Sequence, residues 1–84
     1  SGYDIVCSGI TTATYTSINL IDKINSECFN LTVNDDAGYL HMSLDYQLLT
    51  KEEVELIQLV IRNLIDMYEE IKRNYPKYLK IEIL

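Results

Sequence analysis

The chain has 84 residues, 48% of them hydrophobic and 24% charged, a balance that excludes intrinsic disorder and predicts one small globular domain over residues 1–84. Thirteen acidic residues against seven basic ones give a net charge of −6, which disfavours direct binding of nucleic acid and favours a basic polypeptide partner. No apolar run approaches the ~20 residues of a membrane span, and the two cysteines lack zinc-site spacing, so we expect a cytoplasmic protein with no membrane partner, metal or other cofactor.

The first predicted element is a helix over about residues 4–24. Asp4 is expected to be its N-cap, because an aspartate side chain accepts hydrogen bonds from the free N–H groups of a first turn. Residues at three- and four-residue steps predict one buried face, comprising Val6, Ile10, Ala13, Ser17, Ile18, Leu20, Ile21 and Ile24. Gly9 weakens a helix, so we expect it to permit close approach by another segment. The small and hydroxylated residues of this helix are also suited to lining a peptide cleft.

A β-hairpin is predicted next. Residues 29–33 alternate apolar and polar side chains, as in a strand with one buried face. Residues 35–38 supply the turn, and the returning strand places Leu40, Met42 and Leu44 on one face and His41, Ser43 and Asp45 on the other. His41, the chain's single histidine, is therefore predicted to face solvent rather than to serve in catalysis.

A second helix and a last strand complete the predicted fold. Thr50 and Glu53 have the spacing of a capping box, and the helix they open is predicted to continue to about residue 74, before Pro76. Its apolar stripe comprises Val54, Leu56, Ile57, Val60, Ile61, Leu64, Met67, Tyr68, Ile71 and Tyr75. Alternation over residues 78–83 predicts a final strand. The order α-β-β-α-β predicts an α+β fold, a small sheet packed with two helices.

Cys7 is the candidate for chemistry. It follows the expected N-cap by three residues, where free N–H groups and the helix dipole stabilise a thiolate, the nucleophilic form of cysteine. The alternative is that Cys7 is a small buried apolar residue. Cys28 lies at a helix-to-strand junction, has no histidine near it in sequence, and is predicted to be structural.

The segment Asp4-Ile5-Val6-Cys7, followed by Ser8-Gly9-Ile10-Thr11, resembles the signature of the ribosomal-processing cysteine protease family, called Prp. The predicted order of elements resembles that family along essentially the whole chain. The resemblance implies that Cys7 is the catalytic nucleophile and that Asp4 helps to shape the active-site loop. Thr11 stands where the family usually has serine, and it retains a hydroxyl that can support the thiolate.

The resemblance also implies parts of the site on the N-terminal side of Cys7. The family's catalytic base is the histidine of a Gly-His-Ala loop, which we expect upstream of Ser1 together with two further strands, about 15–30 residues in all. Tyr3 lies in the expected loop before Cys7 and is a candidate for contact with a substrate side chain. Gly2 is a candidate hinge of the same loop.

The activity implied by the resemblance is that of a cysteine endopeptidase. Its substrate would be the precursor of a basic large-subunit ribosomal protein, number twenty-seven, from which it removes an N-terminal extension during ribosome assembly. The family's members form homodimers, so a homodimer is expected here. The alternative function is a non-enzymatic ribosome-associated or structural domain in which the cysteine is inert.

Overall fold

The computed structural model describes the backbone of residues 2–34 and 39–75 and the side chains of residues 5–32 and 41–75. Its elements are helix α1 (Gly2–Ile24), strands β1 (Phe29–Asn34) and β2 (Tyr39–Leu44), a single 3-10 turn (Tyr46–Leu48) and helix α2 (Lys51–Asn74). This is the α+β fold predicted from the sequence. The predicted turn at 35–38, Pro76 and the final strand at 78–83 lie outside the described residues. Neither α1 nor α2 is long and apolar enough to span a membrane.

Helix α2 begins at the predicted capping box. The Thr50 hydroxyl accepts a hydrogen bond from the Glu53 N–H at 3.2 Å, and the Glu53 carboxylate accepts one from the Thr50 N–H at 2.9 Å. The hydrogen bond from the Thr50 N–H lowers the pKa of the Glu53 carboxyl, because it favours the ionised form. The helix ends at Asn74, so both predicted ends of α2 are confirmed.

The two helices pack antiparallel. The Thr14 hydroxyl is hydrogen-bonded to the Tyr68 hydroxyl, and five residues earlier on α1 Gly9 lies against Ile71 of α2. A Cβ added to Gly9 would lie 3.3 Å from Ile71 Cδ1, a distance that would force the isoleucine to shift. The expectation that Gly9 permits close approach is therefore confirmed, and the approaching segment is α2.

The face of α1 that meets the rest of the protein matches most of the predicted stripe. Its buried residues are Val6, Ala13, Thr14, Ser17, Ile18 and Ile21. The buried Ser17 hydroxyl donates to the Ala13 carbonyl at 2.8 Å, so this polar group is satisfied in the interior. The predictions for Leu20 and Leu56 were wrong, since these side chains are 44% and 51% exposed. Two packed helices leave part of each surface uncovered, and both leucines lie there.

The hairpin packs its apolar face on a core cluster of Ile21, Cys28 and Ile57. Strands β1 and β2 are antiparallel, with Phe29 opposite Leu44 and Thr32 opposite His41. Phe29, Leu31, Met42 and Leu44 are half-buried, whereas Asn30, Thr32, His41 and Ser43 are exposed. The predicted division of the hairpin into an apolar and a polar face is confirmed for these residues.

Candidate active site

Helix α1 begins earlier than the sequence indicated, and this changes the surroundings of Cys7. Because the helix starts at Gly2, Asp4 lies within its first turn and is not its N-cap. An aspartate is favourable both at the N-cap and in the first turn, because both positions lie at the positive end of the helix dipole. The presence of Asp4 therefore does not show which of the two positions it occupies. Gly2 and Tyr3 likewise belong to the helix and not to a loop. Their predicted contacts with substrate fall outside the described side chains.

The earlier start places Cys7 in the second turn of α1. An N–H group at this depth donates to a carbonyl four residues back inside the helix. The free N–H groups and the dipole effect are concentrated in the first turn. The helix terminus therefore offers the Cys7 thiolate less stabilisation than the sequence suggested.

The helix brings the residues of the family pattern onto one face. Asp4, Cys7 and Thr11 are separated by three and then four residues, the spacing at which side chains of an α-helix are neighbours. The Cys7 and Thr11 side chains are both exposed. The alternative that Cys7 is a buried packing residue is wrong.

A groove of about 580 Å³ lies between α1 and α2. Its lining is Ser8, Gly9, Thr12, Ala13 and Thr16 of α1 with Met67, Glu70 and Ile71 of α2. Neither Cys7 nor Thr11 lines it, and Thr16 is about 180° around the helix from Cys7 at the angular step of an α-helix. The small and hydroxylated residues of α1 therefore do line a groove, but on the opposite side of the helix from the thiol.

The second cysteine has a different environment. Cys28 is fully buried, and its thiol donates a hydrogen bond to the Asn25 carbonyl at 3.1 Å. Burial raises the pKa of the Cys28 thiol, because the thiolate is poorly solvated there. Cys28 is thus a structural core residue, as predicted, and Cys7 is the exposed thiol.

This contrast predicts selective modification of the two thiols. Near neutral pH, iodoacetamide should alkylate Cys7 much faster than Cys28, because attack requires an accessible thiolate. The rates follow from mass spectrometry of the two cysteine-containing peptides at timed intervals. The same reaction in denaturant is the control, and there the two rates should converge. Faster labelling of Cys28 in the folded protein would contradict the assignment.

Comparison with known proteins agrees with the pattern around Cys7. The family model described as "Cysteine protease Prp" matches residues 1–80. The chain belongs to this family. The ribosomal processing cysteine protease Prp of Bacillus subtilis (strain 168) is 28% identical over 80 residues, which cover 95% of this chain and 70% of the relative. No solved structure matches the chain.

Proposed function

We propose that this protein is a bacterial cysteine endopeptidase and that Cys7 is its nucleophile. One observation carries the proposal: the exposed cysteine of the chain is the one in the Asp4–Cys7 segment, within the region matched by the family. The substrate is the precursor of large-subunit ribosomal protein twenty-seven, from which the enzyme removes the N-terminal extension. The relative from Bacillus subtilis is named for ribosomal processing, which supports a substrate of this class.

The reaction proceeds through a thioester. The Cys7 thiolate attacks the carbonyl carbon of the scissile bond, and the tetrahedral intermediate collapses as the C–N bond breaks. A histidine, in a Gly-His-Ala loop upstream of Ser1, gives a proton to the departing amine. The same histidine then takes a proton from water, whose oxygen attacks the thioester and releases the carboxylic acid. The leaving group is the Cys7 thiolate, so the thiolate and the protonated histidine of the starting state are restored.

In this proposal two residues support the nucleophile and two others contact the substrate. The Thr11 hydroxyl lies one helical turn from Cys7 and is available to hydrogen-bond beside the thiolate. Asp4 lies on the same face of α1 as Cys7 and helps to shape the active site. Tyr3 contacts a substrate side chain, and Gly2 permits the approach of the substrate backbone.

The net charge of the chain and its family support a proposal about its partner, its location and its oligomeric state. A net charge of −6 attracts a basic ribosomal precursor and repels nucleic-acid phosphates. Residues 1–84 belong to a single protease domain, whose histidine loop and two further strands lie upstream of Ser1. The enzyme acts in the cytoplasm as a homodimer.

Incubation of the purified precursor with full-length protein, which includes the segment upstream of Ser1 that the mechanism requires, tests the function. We expect one new N-terminus in the ribosomal protein, detected by intact-mass measurement and terminal sequencing. The matched control is Cys28→Ser protein that remains folded, which should cleave at the same bond. A precursor left intact by folded wild-type protein would favour the alternative of a non-enzymatic domain with an inert cysteine.

A further inference from the structure

A polypeptide bound at Cys7 must lie against the exposed part of α1 that adjoins the thiol. The face of α1 that carries Val6, Ala13 and Ile21 is buried, and α2 packs along this helix. The proposed histidine loop joins the chain at the N-terminal end of α1. The exposed side of α1 that runs from Cys7 through Thr11 toward the C-terminal end of the helix is therefore open to a substrate.

Tyr15 is the large apolar side chain on this side of α1. It follows Thr11 by four residues, as Thr11 follows Cys7, so the three side chains succeed one another along the helix. The Tyr15 side chain is 42% exposed and lies about 80° around the helix from Cys7. The other exposed large hydrophobic residues among the described side chains of α1 are Ile5 and Leu20. They lie about 160° and 140° from Cys7, toward the opposite side.

The exposed ring of Tyr15 is suited to binding a side chain of the substrate. Tyrosine is common in binding surfaces, because its ring buries a large apolar area and its two side-chain torsions leave little entropy to lose. Tyr68 has a different environment, since it is half-buried and its hydroxyl is hydrogen-bonded to Thr14 between the helices. Tyr68 is thus a packing residue, whereas the ring of Tyr15 gains from being covered by a partner.

The spacing along α1 determines which part of the substrate reaches Tyr15. Eight residues separate Cys7 from Tyr15, or ~12 Å along the helix axis. An extended peptide advances ~3.3 Å per residue, so a peptide attacked by Cys7 brings its third or fourth residue from the scissile bond to the ring. We propose that Tyr15 is a substrate-binding residue that packs against a bulky side chain at this position, an inference that rests on the proposed role of Cys7.

A pair of peptides and a set of tyrosine variants test this inference. One peptide copies the precursor for about six residues, or ~20 Å, on each side of the cleaved bond. The other has glycine at the third and fourth residues from that bond on both sides. For full-length protein, Tyr15→Ala should lower kcat/KM for the first peptide about tenfold, because the ring contact is lost, and should leave the value for the glycine peptide unchanged. Tyr15→Phe keeps the ring and should keep the wild-type values.

Two controls separate binding from other effects. Tyr46→Ala changes a tyrosine that is 57% exposed in the 3-10 turn, and it should cleave both peptides at wild-type rates. Iodoacetamide should alkylate Cys7 equally fast in Tyr15→Ala and in wild-type protein, because this small reagent does not extend to the ring.

Each other result overturns the inference. An unchanged kcat/KM in Tyr15→Ala would show that the ring makes no contact with the substrate. An equal fall for both peptides, or slower alkylation of Cys7, would show that Tyr15 acts through the fold or the nucleophile. An equal fall in Tyr15→Phe would assign the effect to the hydroxyl, and an equal fall in Tyr46→Ala would make it unspecific. Cleavage by wild-type protein that does not depend on Tyr15 leaves the proposed function in place, whereas wild-type protein that cleaves neither the precursor nor the peptides overturns both.

Discussion

Cys7→Ala should abolish cleavage of the ribosomal precursor, with a fall in rate of more than about a thousandfold, because no other group supplies the nucleophile of a thioester mechanism. Cys7 is exposed, so its replacement leaves the buried core unchanged. The melting temperature of the variant should therefore stay within a few degrees of wild type. Single-turnover cleavage with enzyme in excess gives the rate.

Cys7→Ala should still bind the precursor, since the contacts that hold a polypeptide do not depend on the sulfur. Binding is measured by titration of the precursor into the inactive variant. Thr11→Val is the companion variant, as it removes a hydroxyl from the same exposed face of α1 and retains the thiol. It should reduce cleavage far less than Cys7→Ala. Cleavage by Cys7→Ala at the wild-type rate would exclude Cys7 as the nucleophile.

Ile57→Ala should lower the free energy of unfolding by about 3 kcal/mol, because it removes buried methyl groups and leaves a cavity. Ile57 is 1% exposed and packs against Ile21 and Cys28 at the centre of the core. The matched control is Leu59→Ala on the same helix, where the side chain is 61% exposed. That change should cost less than about 0.5 kcal/mol. Urea unfolding followed by circular dichroism measures both.

If Ile57→Ala does not fold, Ile57→Val serves in its place, with an expected loss of about 1 kcal/mol. Equal losses of unfolding free energy in Ile57→Val and in Leu59→Ala would contradict the placement of Ile57 in the core. The comparison is informative because both residues are aliphatic and both lie in the first half of α2. The difference in helix propensity between isoleucine and leucine is small compared with the energetic cost of a cavity.

The sequence predicted those features that depend on local chemistry. Helix α2 starts and stops as expected because Thr50 and Glu53 satisfy each other's backbone groups within four residues. The alternation in β1 and β2 likewise reports which face of each strand is buried, since successive side chains point to opposite faces. The Asp4–Cys7 segment identified the family for the same reason, as its information is contained in a few adjacent residues.

The errors arise where position in three dimensions decides the outcome. Leu20 and Leu56 have the apolar character of core residues, yet they lie on the part of the helix pair that nothing described covers. Asp4 suits a cap and a first turn equally, so the start of α1 was misplaced by two residues. The contact between Thr14 and Tyr68 depends on how the helices pack, which neither helix encodes by itself.

The most direct test of the proposed chemistry is to trap the intermediate. Wild-type protein in excess is mixed with the precursor, quenched in acid after successive short intervals, and analysed by intact-protein and peptide mass spectrometry. We predict a transient thioester that joins the N-terminal extension to Cys7 and decays as the free extension accumulates. Cleavage that proceeds with the extension never attached to Cys7, while the same quench preserves a synthetic thioester, would contradict nucleophilic attack by this residue.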